Sequence, residues 1–578
     1  WFFFKSVKTD RTPHHERVGE PSLRRLSSRT VRSLTLEDPT LLRATPVARV
    51  LQRCGRLLAK SDGDAETFKL SSQVQVIDAF ISHNWSTPRF QKWMVLAIYF
   101  NLSIACSTAL LAMTVLAILT YMRVLPCIHF DKSGMIMSNT GVFCMFTGSA
   151  VFSVMLFFGR EVLLRLGLSR GSLVFLDKTC IHQTDLTLKE KGIRSLAAQM
   201  NHSRAVVVVY AETYLRKVWT VYELASALIL WPEVRLVVMP LFVPKLVIAG
   251  IVLGPARFGT LLLVKTNFLG DWGDLLSRWG FEFVLLPFYV AAALILRAWG
   301  KERGEIRAAV KSFDVRTAAC FVETDRQLVQ GNIITFMRDF GLVKQEASDI
   351  GVLEAFNDLV HKKIPGALVA NLGHTGVPCI FLWAVLVSGI GRFLDSVTPL
   401  LISHAPMCTV ICKSCTVLTL YASIIPNAIA MMSWLLGKQR HLRGCAEKVL
   451  VAASIVLAIA LTLGPKVLLK ELMHHAINST GQGVASTGHA IALASGIASS
   501  FAVTYLLFRP SDRYFSHGCC ELRRANALST TEMVGDSESI SDDSDRGMND
   551  DTSPGESTNT DEDLEDVQDL EDAEVYAR

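Results

Sequence analysis

Eight stretches of this chain are apolar for close to twenty residues or more, near 93–122, 138–159, 243–264, 280–298, 373–393, 414–436, 447–469 and 486–507. A helix needs about 20 residues to cross the ~30 Å of hydrocarbon in a bilayer. In lipid every backbone polar group must be bonded within the protein, so such runs resolve into a bundle of spanning helices. Composition agrees. Of 578 residues 50% are hydrophobic and 19% charged, with mean hydropathy +0.33, whereas a soluble domain carries about 25% charged residues. A purely soluble enzyme and a disordered scaffold are both disfavoured.

Charge is segregated. From Thr531 onward there are 18 acidic and 2 basic residues, which leaves the rest of the chain at a net +21. The basic residues lie in loops and the leading arm rather than along one module, so nucleic acid is not the expected partner. Basic loops flank spans on the cytoplasmic side. The arm, the 160–234 segment, the loop with Lys438, Arg440 and Arg443, and the 508–524 stretch all carry such charge. Eight spans then put both termini in the cytoplasm. The sequon Asn478-Ser479-Thr480 falls in the 470–485 loop, expected outside. Those at Asn84 and Asn201 fall inside and are expected unused.

The organisation expected is therefore a membrane all-α bundle of about eight helices with a small α/β parallel-sheet domain. Residues 1–70 read as a basic, largely disordered arm with a short helix near 41–59. The α/β domain takes 74–85 plus 160–241, interrupted by a two-span hairpin at 93–159. Two spans follow in 243–298, a cytoplasmic helical segment in 299–370 that packs beneath the bundle, and four spans in 373–507. An acidic disordered tail closes the chain at 508–578. The 13 cysteines show no disulfide-framework spacing, which fits a reducing compartment. Cys408, Cys412 and Cys415 read as thiols on a membrane helix, and no metal site is expected.

The α/β segment carries the chemistry. VQVIDAFISHNW (74–85) reads as a buried strand, as do SLVFLD (172–177), AVVVVY (205–210) and VRLVVMPL (234–241). LKEKGIRSLAAQMNHS (188–203) and VWTVYELASALIL (218–230) read as helices between them. Strands apolar throughout and alternating with helices imply a parallel sheet covered on both faces. TAACFVETDR (317–326) offers a late strand and helix.

The order of these elements resembles the TIR (Toll/interleukin-1 receptor) domain. Asp78–Ser82 are similar to its first-strand motif, Phe175–Lys178 to its second strand, and Ser203–Tyr210 to the helix end and third strand. Tyr214, Trp219 and Glu223-Leu224 are similar to the motif opening its third helix. Three departures stand out. Two spans replace the one helix expected between Trp85 and Leu173, TCIHQTD (179–185) replaces a Pro-Gly loop, and the chain enters a span after Leu241.

The resemblance implies signalling or scaffolding by domain association, as a homo-oligomer or with other TIR-like domains, in contact with the lipid bilayer. Some TIR domains cleave NAD+, and by the same matching Glu223 is the catalytic carboxylate of that alternative, with NAD+ as substrate and no cofactor required. Trp219, one turn earlier, shares its helical face and is positioned to stack on a ring. Ser82, His83 and Asn84 end the first strand, where a dinucleotide would lie, since ligands of parallel sheets sit at the strands' carboxyl ends. The chain leaves for the bilayer at two such ends, so that edge is expected to face the membrane. A third reading, a channel or transporter regulated by the domain, rests on Pro426-Asn427 at mid-span.

Overall fold

The computed structural model describes residues 38–132, 135–168, 171–229, 235–265, 281–320, 323–372, 379–438, 443–478 and 495–505, with Ser27, Leu36 and Val377 besides. The acidic tail and most of 1–37 lie outside these residues.

Six strands form one sheet: β1 (Arg43–Pro46), β2 (Ser72–Gln73), β3 (Ala79–His83), β6 (Leu173–Phe175), β7 (Ala205–Tyr210) and β8 (Arg235–Pro240), in the order β2-β1-β6-β3-β7-β8. β6, β3, β7 and β8 are mutually parallel. Every residue of β7 is buried, as a strand covered on both faces requires. β3 is central, and its Phe80 pairs with Phe175 and Val206. The Phe80 and Phe175 rings stack with centroids 4.6 Å apart.

The expectation that residues 1–70 are mostly unstructured is corrected for their second half. β1 adds antiparallel to β6 and to β2, and the segment after it buries Val47, Val50, Leu51 and Leu58. Those apolar side chains are spaced too irregularly among arginines to show a period in the sequence.

Between β3 and β6 the chain runs through helix α1 (Arg89–Tyr121), a hairpin of β4 (Ile128–Lys132) and β5 (Met135–Thr140), and helix α2 (Phe143–Arg165). At 1.5 Å per residue the 33 residues of α1 reach about 50 Å, well beyond a bilayer's hydrocarbon. Its first turns bury Trp93, Val95, Leu96 and Ile98, while Leu110, Leu111, Val115 and Ile118 farther along are exposed. One helix thus begins as a cover of the folded core and continues as an apolar, exposed stretch long enough to cross a membrane.

Helices α3 (Leu186–Arg194) and α4 (Leu196–Asn201) replace the single helix expected over 188–203. The break falls at Ser195, whose hydroxyl donates to the Lys191 carbonyl at 2.8 Å. α5 (Val218–Ile229) follows β7, and α6 (Val243–Lys265) begins two residues after β8. Next come α7 (Phe281–Lys311), α8 (Glu323–Asp339), α9 (Asp349–Leu372), α10 (Cys379–Ile402), α11 (Met407–Thr419), a π turn at Leu420–Ile424, α12 (Ile425–Lys438) and α13 (Gly444–Asn478). Among the described residues six helical stretches are long and apolar enough to cross a membrane: 89–121, 143–165, 243–263, 381–402, 413–438 and 444–462. The run at 280–298 belongs to α7, which continues past it. Of 486–507 only 495–505 is described, as helix. α13 reaches Asn478, so the first sequon residue is helical, and the rest of the sequon lies outside the described residues.

The 299–370 segment does more than underlie the bundle. α8 packs on α5 and α9 on β8. Residues 317–326 give one parallel bridge, Lys217 to Ala319, and the start of α8, in place of a further strand.

The bundle is tied by a carboxylate at depth. Asp395 of α10 accepts from the backbone N–H of Cys144 and Met145 at 3.1 and 2.9 Å, capping the start of α2. Those N–H groups have no intrahelical partner. Asp395→Ala should therefore cost about 1–3 kcal/mol, read as a lower unfolding temperature in nanodiscs, with Asp395→Asn recovering part of it.

Candidate functional site

β3 places Ser82 at the carboxyl end of the central parallel strand, and α5 brings Glu223 across to it. The Ser82 hydroxyl donates to the Glu223 carboxylate Oε2 and lies 2.6 Å from the Tyr214 hydroxyl. Ser82 and Tyr214 are fully buried, whereas Glu223 keeps partial access to solvent. Burial pushes the Glu223 carboxyl up to about 8, against the Ser82 hydrogen bond, which favours the charged form; Asp177 adds to the rise. The same burial, with Glu223 beside it, raises the Tyr214 phenol further above its ordinary value. This is a half-enclosed carboxyl, held above the usual carboxylate range, on the Ser82 hydroxyl, which in turn meets the Tyr214 hydroxyl.

Alternation along β3 turns the next residue to the other face. His83 packs edge-on to Trp85, centroids 4.4 Å apart. The Trp85 indole donates to Asp177 Oδ2 at 2.8 Å, and the Lys92 ammonium sits 4.7 Å over the indole ring. Lys92 is fully buried at the start of α1, so Asp177 at the carboxyl end of β6 is its nearby counter-charge. Burial holds the His83 imidazole down at about 4; Asp177 opposes that shift and Lys92 adds to it. His83 Nε2 has no hydrogen-bond partner.

A histidine kept neutral by burial supports the fold above its ordinary pKa of about 6.5 and stops doing so as pH falls toward 4. Relative to wild type, His83→Gln should be more stable at pH 4.5 than it is at pH 7. Parallel melts of the two proteins at those two pH values check it.

Of the residues singled out in the sequence, Ser82 and Glu223 meet. His83 lies on the opposite face. Asn84 donates to Thr213 Oγ1 at 2.9 Å and accepts from the Ser86 N–H at 3.0 Å, shaping the turn out of β3. Trp219 is partly buried, and its indole N–H donates to Asp325 Oδ2 of α8 at 3.0 Å. That bond aims it at α8, because a tryptophan N–H packed in a helix interface needs an acceptor. Tyr214, Asp177, Trp85 and Lys92 had been given no site role. Tyr214 and Asp177 stand inside the motif segments already quoted, but pairing across strands is invisible in a linear pattern. Among the described residues no cluster of His, Cys, Asp and Glu could hold a metal ion.

One comparison with known proteins matches part of this sheet. Residues 176–247 match the family model of the TIR domain. That match runs from the end of β6 through β7, α5 and β8 into the first turn of α6. It leaves out β3, which the inserted α1–α2 hairpin separates from the rest in sequence, though β3 lies between β6 and β7 in the sheet. No curated protein and no solved structure matches the chain.

Proposed function

We propose that the chain is a multi-pass membrane protein, both termini cytoplasmic, that presents its TIR domain for signalling or scaffolding by domain association. The observation that carries this reading is the joint between sheet and spans: α1 and α6 rise directly from β3 and β8. Copies so anchored are confined to a plane with one orientation, which raises their effective concentration for one another. The loop after β6 is covered by the chain itself, with Lys178 Nζ on the Lys60 carbonyl at 3.0 Å and Phe68 edge-on to His182. α3 beside it stays open, with Leu186 78% exposed. Energy transfer between two differently tagged full-length copies in membranes tests the reading. Leu186→Asp should weaken self-association about tenfold, ~1.4 kcal/mol; signal at the level of an unrelated membrane protein, in wild type and with other TIR proteins co-expressed, would remove the proposal.

A second reading, NAD+ cleavage at the nicotinamide bond, is favoured by the Ser82–Glu223 pair. A carboxylate beside the ribose stabilises positive charge developing at the anomeric carbon as nicotinamide leaves. The cationic pyridinium ring would itself draw the Glu223 proton off by favouring the charged form. NAD+ consumption by purified protein in nanodiscs should then fall about 10²–10³-fold in Glu223→Ala. Equal background turnover in both proteins would leave Glu223 a structural acid.

A further inference from the structure

Between α6, α7, α10, α12 and α13 the bundle forms a half-open cavity of about 140 Å³, room for part of a longer chain that continues out of its mouth. An apolar cavity of order 150 Å³ stays dry and takes benzene-sized hydrocarbon. Leu253, Phe288, Ala292, Val385 and Ala428 are typical of its wall. Its shape is fixed on one side by glycines one turn apart: a Cβ on Gly250 would lie 2.8 Å from the Phe381 ring, and one on Gly254 3.1 Å from Ser388 Oγ. On another side the wall includes Tyr421 of the π turn, and such turns recur at functional sites.

One residue of this mostly apolar wall is charged. Arg257 lines the cavity, its Nε is buried without a hydrogen-bond partner, and among the described residues it forms no ion pair. Asp395, a carboxylate buried in the same bundle, is already held by the Cys144 and Met145 N–H groups. A cation inside a membrane segment is costly unless something pairs with it. A hydrocarbon wall beside an unpaired guanidinium describes an acyl chain with an anionic head.

We propose that this cavity binds an anionic amphiphile, a fatty acid or an acidic glycerolipid, with its chain among α6, α7 and α12 and its head on Arg257. A neutral lipid would leave Arg257 unpaired, and a small polar anion would leave the wall, apolar over most of its surface, unfilled. The same helices carry Phe242 and Trp299, stacked at 5.4 Å where β8 passes into α6. The occupant therefore bears on the joint that seats the TIR domain. The site stands on its own geometry and needs neither association nor NAD+ cleavage.

The test uses full-length protein in nanodiscs and palmitate carrying a diazirine on its chain, with the equally labelled long-chain alcohol as the uncharged control. Label should concentrate on peptides of α6, α7 and α12. Arg257→Gln should weaken palmitate labelling about tenfold and leave the alcohol unchanged, and Ala292→Phe should abolish labelling by filling the space. Arg257→Lys, which keeps the charge, should retain most of it and covers the case in which Arg257→Gln fails to fold. Competition by unlabelled palmitate against phosphatidic acid tells which source of the anionic head is preferred, and displacement by either supports the site. Label spread over Leu111, Val115 and Ile118 on the outer surface and indifferent to Ala292→Phe would overturn the proposal. So would equal saturation by acid and alcohol.

Discussion

Between pH 5 and 8 the Glu223→Gln variant should gain thermal stability steadily relative to wild type. The Glu223 carboxyl is held up at about 8 in the folded protein, chiefly by burial, while an unfolded glutamate titrates near 4.3. A carboxyl whose folded pKa is raised binds its proton more tightly in the native state. Its contribution is therefore complete below about pH 4.5 and drains away as pH rises through 8. Glutamine keeps the shape and an oxygen for Ser82 to donate to, and it never ionises. The two proteins should melt together at pH 5 and separate at pH 8.5, with the variant the more stable. Parallel curves across that range would mean that Glu223 is ionised and well solvated at neutral pH, and the picture of a half-enclosed carboxyl held above the usual range would fail.

Phe80→Ala should cost about 3–5 kcal/mol, the range for removing a buried aromatic side chain. Phe80 is fully buried at the middle of the central strand and stacks on Phe175 of β6. Truncation would open a void where three parallel strands meet, and stacked rings add about 0.5–1.5 kcal/mol beyond area alone. Because β3 is the strand that α1 leaves from, protease resistance of the α/β domain should fall. Limited proteolysis of membranes checks this. Phe80→Leu, which refills most of the volume, should recover most of the loss.

What was legible in the sequence follows from how local the signal is. The four parallel strands announced themselves as short β-branched runs, and β6, β7 and β8 fall within the ranges read for them. The run at 74–85 was read too long: only Ala79–His83 is strand, because Asn84 turns the chain toward Pro88 and the start of α1. β1 was missed for the opposite reason. Arg43–Pro46 has two buried residues, Ala44 and Thr45, between half-exposed ends, and its place is set by pairing with Thr45↔Val174 some 130 residues away. The Glu223–Ser82 contact was half legible: the helix motif gave the carboxylate and the strand end gave the serine. Nothing local says that Trp219 would be claimed by Asp325 on a helix a hundred residues later.

The proposed membrane-anchored reading requires the carboxyl edge of the sheet to face the bilayer, and site-directed labelling tests that most directly. Ser86 and Arg204 are both exposed in the protein itself and lie at opposite ends of the strands; Phe90, 51% exposed next to Ser86, suits a membrane interface. With cysteines introduced singly at 86 and 204 and a bulky maleimide applied from the cytoplasmic side, position 204 should react equally fast in membranes and in detergent. Position 86 should react slowly in membranes and quickly only once detergent removes the bilayer. Free reaction at 86 with shielding at 204 in intact membranes would contradict the orientation, and with it the proposal that the α/β domain is presented at the membrane surface.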